Sequence, residues 1–227
     1  MNKSRSIKGI IGIAIIAVFI MYILEGIIAT SYFQKSLVKI IIFLTLPILY
    51  SFYDKNIKIR DNFKIKSIKN LKYSFALGIG LYLGILLVYF LLRDFINLTN
   101  IMAMLDKKVS VNGDNFLWIA LYISIINSLL EEFFFRGFIF LNLKKISGRK
   151  FSYIVSAFIF SIYHVAIMGS WFSPIIFILA MLGLFIGALI FNYLNEKEDN
   201  IYNSWIVHMM ANLSINTIGL MMFGIIK

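Results

Sequence analysis

Three short patterns in this chain of 227 residues place acids, imidazoles and an amide inside apolar stretches. They are Glu131-Glu132-x-x-x-Arg136, Phe160-x-x-x-His164 and His208-x-x-x-Asn212. Of eleven acidic residues, eight (Asp54, Asp61, Asp94, Asp106, Asp114, Glu196, Glu198 and Asp199) fall in loops or at their edges. Glu25, Glu131 and Glu132 remain within apolar runs, as do both histidines and Arg136. An ionisable group at a bilayer centre costs a few kcal/mol, so it normally faces the protein interior and has a task. Glu132 and Arg136 are four apart and can pair on one helix face. Glu131 is turned by about 100° from Glu132. One carboxylate is then held in a structural pair and the other is left for chemistry. His208 and Asn212 can point at one spot, and Phe160 stands one turn from His164. Taken singly, Asn212 reads as helix–helix glue, His164 as a core histidine and Arg136 as the partner of Glu132. Glu25 reads as an interhelical hydrogen-bond partner or an interfacial residue.

Together these types suit amide hydrolysis. That reaction needs a base for water, donors for the oxyanion and an acid for the leaving amine. His-x-x-x-Asn offers two side-chain donors to one oxygen, and one such donor is worth about 10²–10³ in rate. Zn2+ is the alternative cofactor, because Glu131, His164 and His208 are a familiar ligand set. There is no His-Glu-x-x-His helix, and zinc would consume the groups otherwise available as base and oxyanion donor. The expectation is therefore no cofactor and no metal.

The elements that must position these residues follow from composition. The chain is 60% hydrophobic and 15% charged, against roughly 45–50% and about 25% in soluble domains. Absence of cysteine excludes disulfides, thiolate metal sites and a cysteine nucleophile. The expected fold is all-α, a polytopic membrane bundle of about seven helices, with six to eight as the range. It forms one integral-membrane domain, 1–227, with a motif-bearing core at about 116–216. The predicted spans are Lys8–Thr30, Leu37–Tyr53, Tyr73–Leu92, Phe116–Leu143, Phe151–Met168, Trp171–Leu194 and Ser204–Ile226.

The second span is short and carries Lys39, which reads as a tilted, snorkelling or re-entrant segment. The fourth is long enough to hide a break. The first is too long for a signal-peptide core and is retained. Pro47 marks a kink and Pro174 a helix start. Trp118, Trp171 and Trp205 fall near span ends, where interfacial tryptophans belong. Basic residues precede the first span and fill the second and fourth loops, which puts the N-terminus in the cytoplasm. The net charge of +11 and the lysine-rich stretch Asn56–Lys72 thus have a topological role on anionic headgroups, and no nucleic-acid partner is expected. Counting rise per residue, Glu131 lies about 22 Å into its helix and His164 about 20 Å into its own. Those depths let Glu131, His164, His208 and Asn212 converge in the cytoplasmic half of the membrane.

The ordered triple of motifs on successive apolar helices resembles the CPBP (Abi) family, which comprises type II CAAX prenyl proteases and bacteriocin-processing enzymes. The likeness covers about Phe116 to Asn216. It implies an intramembrane endopeptidase in which Glu131 and His164 activate the attacking water. By the same carry-over, His208 and Asn212 hold the oxyanion, and Glu132, Arg136 and Phe160 support the site. The implied partners are membrane lipids and a membrane-associated peptide or protein substrate. Usage rich in Lys, Asn and Ile points to an AT-rich bacterial genome and a plasma-membrane location. That favours bacteriocin or signal-peptide maturation, or self-immunity, over cleavage of prenylated CAAX tails. The competing expectations are a non-catalytic scaffold or immunity protein on the same fold, and a proton- or ion-coupled transporter. The transporter reading lacks an internal repeat and paired broken helices.

Overall fold

Each predicted apolar run becomes a helix in the computed structural model, which describes residues 2–26, 28, 31–93, 111–168 and 174–226. The helices are α1 Lys3–Gly26, α2 Tyr32–Tyr53, α3 Ile68–Leu92, α4 Phe116–Ser147, α5 Arg149–Met168, α6 Pro174–Glu196 and α7 Tyr202–Met222. All seven are long and apolar enough to cross a membrane, and no strand occurs among the described residues. The chain is an all-α, multi-pass membrane protein. Trp171, Asp94 and Asp106 lie outside the described residues.

Local chemistry sets the helix ends. Ser31 and Gln34 form a reciprocal capping box at the start of α2. The Ser67 side chain accepts from the Asn70 amide at the start of α3. Gly148, at φ 92°, takes the left-handed turn that separates α4 from α5. The helix α2 runs on through Pro47, which is buried within it.

The helix α4 is the hub. Every residue from Leu130 to Leu143 is buried, so this stretch is surrounded on all sides. It packs against α1, α2, α5, α6 and α7, while α3 lies along α7. The core is aromatic: Phe134, Phe135 and Phe138 of α4 meet Phe43 of α2 and Phe160 and Tyr163 of α5. On α1, Ile10, Ala14, Ala17 and Met21 form the buried stripe, and the two alanines let the helix approach closely, as membrane packing favours. The outward apolar side chains, such as Leu87 on α3 and Leu179 on α6, are suited to lipid.

The long α4 is not broken but is widened twice. Tyr122–Asn127 and Glu132–Phe140 have π-helical hydrogen bonding, a deviation that often marks functional sites. Where the ladder changes period, backbone carbonyls need other donors. Polar side chains of α7 supply them along the first widened segment. Trp205 Nε1 donates to the Ile125 carbonyl (3.1 Å), Asn212 Nδ2 to Ile123 (3.3 Å) and Asn216 Nδ2 to Ala120 (3.0 Å). Along the second, Ser156 Oγ donates to Phe135 and Asn142 Nδ2 to Gly137, each at 3.0 Å. Trp205 stands near the start of α7, with its indole tied to α4. Trp118, by contrast, is 72% exposed.

Charged residues hold the α6–α7 connection beside the end of α4. Lys144 Nζ lies 2.7 Å from Asp199 Oδ1, and Arg149 Nε 2.9 Å from Glu196 Oε1. Partial burial alone would raise the Asp199 carboxyl, but its bond to Lys144 and the charges of Lys144, Lys66 and Lys145 hold it below the usual range. At the other end of α7, Gly219 admits the Phe116 ring. A Cβ at Gly219 would lie 2.2 Å from Phe116 Cζ. Gly219→Ala is expected to cost about 1–3 kcal/mol through overpacking, read as a lower melting temperature in detergent. Adding Phe116→Leu should recover part of the loss.

Candidate active site

The acidic pair of α4 is divided between two settings. Glu132 points into a closed polar cage and is fully buried. Its Oε1 lies 3.1 Å from Arg136 Nη1 and accepts from His208 Nδ1 at 2.9 Å. Its Oε2 accepts from Ser204 Oγ, which in turn accepts from Asn195 Nδ2 at 2.6 Å. The Glu132–Arg136 pair expected from the spacing of four is thus present. It is an ion pair without hydrogen-bond alignment, and the guanidinium is otherwise held between two aromatic faces. Arg136 Cζ stands 4.1 Å from the Phe160 ring centre and 4.9 Å from that of Phe191, within cation–π range.

Glu131 has a different environment. Its Oε1 accepts from Lys39 Nζ at 2.6 Å and from Asn127 Nδ2 at 3.0 Å. Its Oε2 faces two imidazoles, 3.7 Å from His208 Nε2 and 4.0 Å from His164 Nε2. The residue is 2% exposed. Lys39 is accordingly neither snorkelling nor interfacial. The sequence reading is corrected here: the ammonium is buried, because the carboxylate of Glu131 gives it a counter-charge that the apolar surroundings lack. The ammonium also lies 4.9 Å from the Tyr163 ring centre. Lys35, one turn earlier, pairs with Glu25 at 3.2 Å, which makes Glu25 the interhelical partner expected of it.

Hydrogen bonds fix the two imidazole rings. His164 Nδ1 lies 2.8 Å from the Phe160 carbonyl, which can only accept, so Nδ1 carries the proton. His208 Nδ1 meets a carboxylate, which also accepts. Each ring therefore turns Nε2 toward Glu131. Phe160 acts three times: its carbonyl orients His164, its ring covers Arg136, and its edge meets the His208 ring at 6.0 Å between centres. Phe191, unmarked in the sequence, stacks on His208 at 5.2 Å.

The structure brings Glu131, His164 and His208 together. Asn212 stands one turn beyond His208 on α7 and is tied to the Ile123 carbonyl of α4, which leaves one amide proton of its side chain uncommitted by that bond. The described histidines, aspartates and glutamates form no group of three placed to hold a metal ion. The donor types of the zinc alternative are present, but its carboxylate is already in contact with the Lys39 ammonium. A divalent cation there would stand beside a buried positive charge, so the residues do not fit it.

An apolar groove of 470 Å³ opens between the N-terminal halves of α2 and α4, lined by Tyr32, Leu37, Ile40, Trp118 and Tyr122 among others. Ile40 adjoins Lys39, and Tyr122 begins the widened segment that ends at Asn127.

No curated protein and no solved structure matches the chain. Residues 113–214 match the model of the family described as type II CAAX prenyl endopeptidase Rce1-like, an interval that contains all three motifs but neither Lys39 nor the helix that carries it. The motif-bearing part of this chain is similar to that family of membrane proteases.

Proposed function

We propose that this chain is an intramembrane endopeptidase that hydrolyses a peptide bond of a membrane-associated peptide or protein with a water activated by Glu131 and His164. The observation that carries the proposal is the convergence of Glu131 Oε2 and two imidazole Nε2 atoms within 4.0 Å. With both Nδ1 atoms donating elsewhere, these three atoms all present lone pairs when the rings are neutral. Separations of 3.7 and 4.0 Å are too long for direct hydrogen bonds. A water placed among them donates its two protons to Glu131 Oε2 and His164 Nε2.

Glu131 Oε2 then takes one proton as the water oxygen attacks the scissile carbonyl, and later returns it to the leaving amine. Once a proton from solvent makes it doubly protonated, His208 can donate from Nε2 to the oxyanion. The carboxylates at 2.9 and 3.7 Å are the counter-charges for that form. Asn212 supplies the second donor through its free amide proton. No metal takes part. The apolar groove beside Lys39 favours a substrate that arrives from the lipid side.

Multi-pass topology and the protease family support this reading. The basic-residue bias favours a cytoplasmic N-terminus, and the Lys-, Asn- and Ile-rich usage favours a bacterial cell. The associated role is bacteriocin or signal-peptide maturation, or self-immunity. The test compares newly formed peptide ends in membranes from cells making the wild type and Glu131→Ala at equal levels. Ends that require Glu131 are expected. Identical sets of ends would replace the enzyme with a scaffold or immunity protein on this fold. A zinc chelator is expected to leave the wild-type ends unchanged; loss reversed by added zinc would bring the metal mechanism back.

A further inference from the structure

Lys39 enters the site from α2, outside the segment matched by the family and 92 positions from its partner along the chain. Its side chain is 7% exposed. Four contacts define its place: Glu131 Oε1 at 2.6 Å, Asn127 Oδ1, and the faces of Tyr163 and Phe43. Asn127 closes a triangle, because its Nδ2 donates to the same Oε1 at 3.0 Å while its Oδ1 accepts from Lys39. Both bonds to Glu131 fall on one carboxylate oxygen. The other oxygen is left to the two histidines.

We infer that Lys39 is a positioning residue for the hydrolysis: it pins Glu131 by Oε1 as an ion pair and so reserves Oε2 for the water. The inference rests on Glu131 being the base, as proposed above. Two physical arguments carry it. A buried carboxylate without a counter-charge is too costly to persist, and a neutral acid accepts no proton. The neutral histidines carry no charge and donate their Nδ1 protons away from Glu131, so in the resting site the ammonium alone supplies the counter-charge. A carboxylate free to rotate would also offer either oxygen to the imidazoles, whereas the triangle fixes which one faces them.

Among the described residues, the other groups around Glu131 give no second standing cation at this distance. They are Asn127 on α4, Tyr163 and His164 on α5, His208 on α7, and Tyr32 and Tyr122 within electrostatic reach. Arg136 also acts on Glu131 electrostatically, but its ion pair is with Glu132.

The test uses the full chain in lipid nanodiscs at neutral pH and reads Glu131 by infrared spectroscopy, its band identified by its loss in Glu131→Gln. The wild type is expected to show an ionised carboxylate. Lys39→Met should convert it to the carbonyl band of a neutral acid, and Lys39→Arg should restore the carboxylate. In membranes, Lys39→Met should lower the yield of Glu131-dependent peptide ends by about tenfold or more, with Lys39→Arg recovering most of it. A neutral Glu131 in the wild type overturns the inference even if Lys39→Met fails to fold. So does an unchanged band in Lys39→Met, or undiminished cleavage by it. Failure of the protease reading looks different: no Glu131-dependent ends form from any variant, while the infrared response to Lys39 persists.

Discussion

Glu131→Gln is expected to lower the rate of cleavage by about 10²–10⁴, the worth of a positioned general base, while leaving the helices in place. Glutamine keeps the length of the side chain. Its carbonyl oxygen can take over the role of Oε1, accepting from Lys39 at 2.6 Å and Asn127 at 3.0 Å. Its amide then replaces Oε2 opposite His164 and His208 and offers them two protons where the wild type offers a lone pair. The exchange therefore inverts the one feature that water activation requires. The buried ammonium also loses its counter-charge, so some stability is lost, and the measurement must separate the two effects. Cleavage is scored per folded chain, from the yield of wild-type-dependent peptide ends together with a melting curve on the same preparation. A folded Glu131→Gln chain that cleaves within a few-fold of the wild type would remove Glu131 from the chemistry.

The sequence made the fold legible because the bilayer imposes one length on every span. The seven runs become seven helices, with ends displaced by a few residues: α1 starts at Lys3 where Lys8 is expected, and α4 ends at Ser147 where Leu143 is expected. Glu131, Glu132, Arg136, His164 and His208 were legible from type and spacing, and the structure gathers them. Lys39 was not, because a lysine near the end of a short span reads as a residue reaching for water. A charge inventory carries the missing signal. Glu25, Glu131 and Glu132 put three acids into apolar runs against one arginine. Two of these acids then need cations, and Lys35 and Lys39, one turn apart, are the residues that supply them.

The widened turns of α4 were hidden for a different reason. A spacing of four residues brings Glu132 to Arg136 in an α-helix, and it still does so in the wider helix observed. Periodicity therefore could not distinguish the two. What marks them is the set of polar residues on α7, Trp205, Asn212 and Asn216, whose donors end on carbonyls of α4. Asn212 thereby has a structural duty that its motif does not reveal. It ties α7 to the widened segment whose last residue, Asn127, holds Glu131. The motif residue and the carboxylate are linked through backbone, which is why neither spacing nor residue type exposes the connection.

Glu132→Gln and Arg136→Met should each be strongly destabilising, by about 3–5 kcal/mol, while the double variant should recover a large part of the loss. Both side chains have zero exposure, so neither can turn to water when its partner goes. In Glu132→Gln the guanidinium keeps its two aromatic faces at 4.1 and 4.9 Å but has no adjacent anion. In Arg136→Met the carboxylate keeps Ser204 and His208 as donors, so this variant should be the milder of the two. In the double variant no unpaired charge remains. Activity should separate what stability couples. Glu132 also holds His208 by Nδ1, so Glu132→Gln loosens the proposed oxyanion donor, whereas Arg136→Met leaves that bond in place. Unfolding in mixed detergent micelles gives the stability cycle, and cleavage at a temperature where every variant is folded gives the rest. Additive losses in the double variant would show that the pair does not act as a unit. Equal cleavage by Glu132→Gln and Arg136→Met would show that Glu132 supports the site through charge balance alone and not through its hold on His208.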